Sequence, residues 1–264
     1  MLSSKELKEK FSFIPDEYLD TDYLDNLFKD RFDESNPNFY HAKGFNKFGY
    51  QGKYIDIKVI ETKSNDFALS SIKLLSNDQR TSGKGLTVVA IGANPRGTSG
   101  RSNYSNKEKR EANKNNPRLE RTRGNLLRRI IYTMNGQNAD STNRVFLKEF
   151  IQLDLFTLRT KDAGDLIPLI RDSSISTKKK YNPAIINYWA SKADWLIPCW
   201  GQKPDEALSE LENYNDFIRN DIIKEIERST KASVYYYDMN NDGSPTQPST
   251  PSHYENLKQF KDFY

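Results

Sequence analysis

Side chains able to do chemistry are few in kind along this chain, which has two histidines, His41 and His253, and a single cysteine, Cys199. One sulfur cannot form an internal disulfide, hold an iron–sulfur cluster or build a cysteine-rich zinc site, since each takes several. The H-x-E and P-C-x-x-C ligands with which zinc deaminases activate water on a base are missing as well. Chemistry therefore falls to carboxylates, amides and hydroxyls, and no metal or other cofactor is expected. The candidates sit in short loops: Asn94 in Gly92-Ala93-Asn94-Pro95-Arg96-Gly97, Asp154 in Gln152-Leu153-Asp154-Leu155-Phe156, and Gln247, Ser249 and Ser252 in the Pro/Ser-rich segment from Ser244 to Ser252. Asn94 can orient a water through its amide oxygen and, being uncharged, is a weak general base. Ionised Asp154 can only accept hydrogen bonds, whereas Gln247 retains a neutral N–H donor. Plain turn chemistry at Asn94-Pro95 and a helix cap at Asp154 are the competing structural readings.

Charge adds a second signal. The chain carries a net +4, yet between Arg96 and Arg129 eleven basic residues meet three acidic ones, a local balance of +8 that leaves the remainder at −4. Such a concentrated cationic stretch is the footprint of a polyanion, and phosphodiester backbones are the commonest. Arg96, Arg101, Arg118, Arg121, Arg123 and Arg128 are the candidate backbone contacts, with a merely solvated loop as the alternative.

These loops need a scaffold. With 264 residues, 36% of them apolar, the chain can bury one substantial core and a smaller appendage. Short amphipathic helices are expected up to about residue 35, where Leu19, Tyr23, Leu24, Leu27 and Phe28 fall near helical spacing before Asn36-Pro37-Asn38 interrupts them. Tyr54 to Ile60 alternates like a half-buried edge strand. Leu86-Thr87-Val88-Val89-Ala90-Ile91 is a continuous apolar run of the kind found in sheets covered on both faces. Further strands are expected at Phe150 to Phe156, Trp195 to Trp200 and Ser233 to Tyr237, separated by helices over Gly124 to Met134, Pro183 to Lys192 and Pro204 to Arg228. Alternating strands and helices predict a three-layer α/β/α sandwich with a mainly parallel sheet, and its ligand site beyond the strands' carboxyl ends. The expected division is an N-terminal helical and edge-strand extension over 1–80, packed on an α/β domain over 81–264. No apolar run approaches the roughly 18 to 20 residues of a membrane span, and the polar start from Met1 to Lys10 lacks a secretory h-region, so a cytoplasmic protein is expected; a monomer is expected as well.

Taken in order, the loops carry a resemblance. Gly92-Ala93-Asn94-Pro95 resembles the G-x-N-P motif that opens the active site of thymine and mismatch-specific uracil glycosylases. Asp154 stands where the uracil-DNA glycosylase superfamily places a strand-end Asn or other polar residue against the Watson–Crick edge of the flipped base. Cys199-Trp200-Gly201-Gln202 looks like its W-G segment, and Ser244 to Ser252 is similar to its H-P-S-P loop, with Gln247 in place of the His. The match covers roughly residues 86 to 260 and leaves the part up to about Thr81 uncovered; a bacterial domain family without settled function shares the architecture and resembles this chain too.

The resemblance implies a monofunctional DNA glycosylase that hydrolyses the N-glycosidic bond of a base flipped from DNA, expected to be double-stranded, and leaves an abasic site. Asn94 and Asp154 would be catalytic; Asp154, Gln247 and Ser249 would bind the base; Ser252 would join the arginines on DNA, and Tyr254 would be a wedge or buried packing. Trp200 reads as core and Gly201 as a close backbone approach. An Asn can donate to O4 of uracil, whereas Asp154 accepts from an exocyclic amine, as on cytosine; alternatively Asp154 activates water with Asn94 in support. Excising plain cytosine would destroy the host genome, so a C5 substituent absent from it is expected, such as the hydroxymethyl or glucosyl group of some bacterial-virus DNA, with a role in antiviral defence. Arg96 to Ser105 offers room and donors for a sugar. Uracil repair is the runner-up. A metal-dependent nuclease built on Asp56 and Glu61-Thr62-Lys63 is awkward, because Asp56 and Glu61 fall on opposite faces of one strand. A P-loop lacks its lysine, and a DNA-binding module without chemistry is the non-enzymatic rival.

Overall fold

The computed structural model describes residues 1–47, 54–64, 66–75, 83–93, 121–139, 144–158, 160, 165–201, 207, 212–224, 232–241, 243–246 and 256–260. Their strands are β1 Phe39–Lys47, β2 Tyr54–Thr62, β3 Leu69–Leu74, β4 Lys84–Gly92, β5 Val145–Asp154, β6 Trp195–Pro198, β7 Ser233–Tyr236 and β8 Lys258–Gln259. They form one eight-stranded sheet in the order β1-β2-β3-β5-β4-β6-β7-β8.

The protein is thus of the α/β class, with a mixed sheet. Pairs β4–β5, β4–β6 and β6–β7 are parallel, and pairs β1–β2, β2–β3, β3–β5 and β7–β8 are antiparallel. The mainly parallel sheet expected from the sequence is confined to β5, β4, β6 and β7, which lie between antiparallel β3 and β8. Parallel pairing needs a crossover between strands, whereas β1, β2 and β3 follow one another by short connections and must turn back on themselves. Neither β1 nor β3 stands out in the sequence pattern. β1 is rich in aromatics and interrupted by Gly44, which reads as turn, and β3 carries Ser70 and Ser71, which look like surface but are buried. β2 is consequently an inner strand between β1 and β3, not the edge that its alternation suggests.

The helices are α1 Ser4–Lys10, α2 Thr21–Lys29, α3 Arg121–Ala139, α4 Leu166–Arg171, α5 Pro183–Ala190 and α6 Glu212–Asp216, the last running on with π-helical geometry over Phe217–Lys224. They cover both faces of the sheet. Val88, Val89, Ala90 and Ile91 of β4 are all inaccessible: Val89 and Ile91 join the core beneath α1, α2, α5 and α6, and Val88 and Ala90 join the core beneath α3.

Helices as short as α1 and α2 are marginal alone, and local chemistry together with burial holds them. Ser3 and Glu6 form a capping box on α1, and the Asp20 carboxylate accepts from the N–H groups of Asp22 and Tyr23 at the start of α2. Phe11 then packs edge-on against Phe217 at 5.3 Å, and Phe28 lies 5.6 and 5.1 Å from the rings of Tyr188 and Trp189. Residues before 76 therefore supply three strands of the sheet and part of its core, and the expected boundary near 80 lies outside the described residues. Among the described residues no helix is long and apolar enough to cross a membrane.

Candidate functional site

The four parallel strands end together at Gly92, Asp154, Pro198 and Tyr236, and pairing continues past those ends. Leu155 N donates to Gly92 O at 2.9 Å, Phe156 N to Ala93 O at 3.0 Å, and Cys199 N to Ile91 O at 2.9 Å. The segments after β6 and β7 are tied to one another, because Gly201 N donates to Pro245 O at 2.9 Å. Gly201 has φ 79°, a conformation that glycine alone adopts without strain, so the close approach expected of it is met by a left-handed turn. The turn after β7 is closed by Asn240 N donating to Ser244 O and by Thr246 N donating to Asp238 O, both at 2.8 Å.

Asp154 is the predicted residue that this arrangement brings into focus. It is 5% exposed, is the register partner of Gly92 and lies on the α3 side of the sheet. A Cβ on Gly92 would stand 2.5 Å from its Oδ1, so the carboxylate occupies the space where a side chain of residue 92 would be. Cys199, 4% exposed, is beside it: burial first and the Asp154 charge second push the Cys199 thiol well up from its ordinary value. No helix follows Asp154 directly, since Phe156 bridges to Tyr181, and the helix-cap reading therefore falls away.

The backbone behind the acid is gripped from the other face. Asn182 Nδ2 donates to Asp154 O at 3.1 Å and to Ala68 O at 2.9 Å, while its N–H donates to Leu155 O at 3.2 Å. The Tyr214 hydroxyl donates to Leu155 O as well, and burial raises its pKa well above the usual phenol range, so it stays a donor. Sequence reasoning missed both positioning groups. Asn182-Pro183 does carry a helix-start signature, but nothing local distinguishes Tyr214 from any other aromatic on an amphipathic helix.

Of the other predicted residues, Trp200 is a core residue at 4% exposure. Arg121 and Arg123 lie in the first turn of α3 and Arg128 is half-buried two turns in. Arg129, counted with them in the basic stretch, is 3% exposed with its guanidinium 3.7 Å from the centre of the Tyr237 ring, so its charge fastens α3 to the segment after β7. Asn94, Arg96, Arg101, Arg118, Gln247, Ser249, Ser252 and Tyr254 lie outside the described residues. Asp56 and Glu61, the nuclease candidates, are both on β2, which β3 separates from β5. Among the described residues no three His, Cys, Asp or Glu side chains gather as a cation site. No protein-family model, curated protein or solved structure matches the chain.

Chemically, the arrangement offers a buried carboxyl group whose backbone is held from the Asn182 side and by the β4 ladder, at the carboxyl ends of parallel strands and opposite Gly92, two residues before Asn94 in the chain.

Proposed function

We propose that the protein is a monofunctional DNA glycosylase of the uracil-DNA glycosylase type. It hydrolyses the N-glycosidic bond of a flipped, modified cytosine, such as the glucosylated hydroxymethylcytosine of bacteriophage DNA, and leaves an abasic site in defence against the virus. The observation that carries this reading is the Asp154 carboxylate, buried at the end of β5 among the ends of the parallel strands, where ligand sites of such sheets lie. An ionised acid there accepts a hydrogen bond from the exocyclic amine of a cytosine edge and repels the carbonyl at the same position of uracil. Asn94 orients the water that attacks the sugar carbon as the bond to the base breaks through an oxocarbenium-like state, and Gln247 donates to the departing base. The basic stretch up to Arg128 tracks the phosphates.

Incubating the protein with virus DNA carrying glucosylated hydroxymethylcytosine, beside unmodified and uracil-containing DNA, and weighing any released base by mass spectrometry tests the reading. Modified cytosine is the expected product, and Asn94→Ala and Asp154→Ala should keep DNA binding while losing alkali-labile abasic sites. Release of uracil alone would overturn the substrate, and salt-dependent binding with no base released would mark a module without chemistry.

A further inference from the structure

Gly92 closes a strand whose neighbouring positions are Val88, Val89, Ala90 and Ile91, and its backbone does not call for glycine. Positive φ occurs among the described residues at Gly83, Gly201 and Gly243, not at Gly92. Glycine in a strand also gives up more conformational freedom on folding than any other residue. Its neighbour supplies the reason for it. A Cβ on residue 92 would lie 2.5 Å from Oδ1 of Asp154 and 3.7 Å from its Cγ, with Nε2 of Gln152 at 3.6 Å. The first separation is far inside van der Waals contact, and Asp154 is too buried to swing into solvent.

Cys199 stands on the other flank of Gly92, its N–H on Ile91 O and its thiol within the field of the Asp154 charge. Three adjacent strands thus end in a row of an acid, a residue without a side chain and a small thiol. The carboxylate lies across the end of β4 because nothing there displaces it.

We infer that Gly92 is a positioning residue for the Asp154 carboxylate and thereby sets the base selectivity of the site. This rests on the glycosylase reading and deepens it: the acid selects an amine-bearing edge only while it is held in one pose, and the missing side chain of residue 92 permits that pose. A methyl group at 92 pushes the carboxylate out of the row, and misplacing a reacting or orienting group by about 1 Å costs on the order of a hundredfold in rate.

The test compares the full chain with Gly92→Ala, Asp154→Ser and the double variant, in thermal melting, in DNA affinity and in base release from DNA carrying glucosylated hydroxymethylcytosine. Gly92→Ala is expected to lower the melting temperature by roughly 3 to 8 °C, and the same change should cost little once Asp154→Ser has removed Oδ1. Its kcat should fall about a hundredfold with DNA affinity unchanged. A Gly92→Ala chain that folds only when Asp154→Ser is added supports the inference equally. An equal melting loss in both backgrounds, or undiminished base release by Gly92→Ala, overturns the inference and leaves the glycosylase reading standing. If the unsubstituted chain releases no base from any DNA, the glycosylase reading fails and the selectivity role goes with it, whatever the melting cycle reads.

Discussion

Burial and the Asp154 carboxylate keep the Cys199 thiol protonated far above its ordinary value of 9.0, and burial does the same to the Tyr214 phenol above 10.0. Both groups hold their protons more tightly in the folded chain, so the unfolded chain releases its protons first as pH rises. Their stabilisation is therefore complete below the unfolded values and declines as pH climbs toward the folded ones. Tyr18 and Tyr188, raised mainly by burial, add to the same decline. Melting temperature should stay level between about pH 6 and 8 from these groups, then fall above about pH 9 and more steeply above about 10. Cys199→Ala should flatten the first part of the fall, although its smaller side chain lowers the whole curve. A wild-type melting curve unchanged up to about pH 11 would contradict this account. The same proton affinity makes Cys199 a poor nucleophile, and it should resist alkylation at neutral pH until the chain unfolds.

One ion pair fastens helix to sheet. Arg31, just past α2, forks onto Glu149 of β5: its Nε donates to Oε1 at 2.9 Å, its Nη2 donates to Oε2, and the Ser71 hydroxyl of β3 donates to Oε1 as well. The Glu149 side chain is 7% exposed and that of Arg31 16%, with the guanidinium 5.1 Å from the Trp189 ring. Removing Arg31 leaves an uncompensated charge inside the core, which typically costs about 3–5 kcal/mol, whereas replacing both partners by apolar groups of like size is often close to neutral. Arg31→Ala should lose stability on that scale in urea titration, and Arg31→Met with Glu149→Met should recover most of it. A loss under about 1 kcal/mol, as for an exposed pair, would mean that the fork does not fasten α2 to the sheet.

At the scale of the whole molecule, Arg129 stands apart from the rest of the basic stretch because it is buried. Neutralising Arg118, Arg121 and Arg123 should weaken binding to all DNA sequences alike and flatten the salt dependence by about 0.9 in log–log slope for each phosphate no longer neutralised. Arg129→Ala should leave that slope unchanged and lower the melting temperature, because its guanidinium is engaged by Tyr237 inside the fold. An unchanged slope in the triple variant would remove the stretch from the DNA interface. Local pattern announced β4, since a short β-branched run whose residues Val88 to Ile91 all favour burial suits a strand in a sheet covered on both faces. It also announced α5, expected from Pro183, whereas the strand expected over Phe150 to Phe156 ends at Asp154, the strand-end position that the resemblance had implied. Periodicity and end signals are properties of neighbours in the chain, so they are written into it directly. Other features depended on partners far apart in sequence: β3 inserted between β2 and β5, Arg129 buried against Tyr237, Glu149 paired with Arg31, and Gly92 required by the carboxylate beside it. Ser70 and Ser71, a lone Glu and a strand-end Gly each have an ordinary local explanation. Only when long-range packing sets which groups meet does each take on its own energy, and the tertiary structure made that decision.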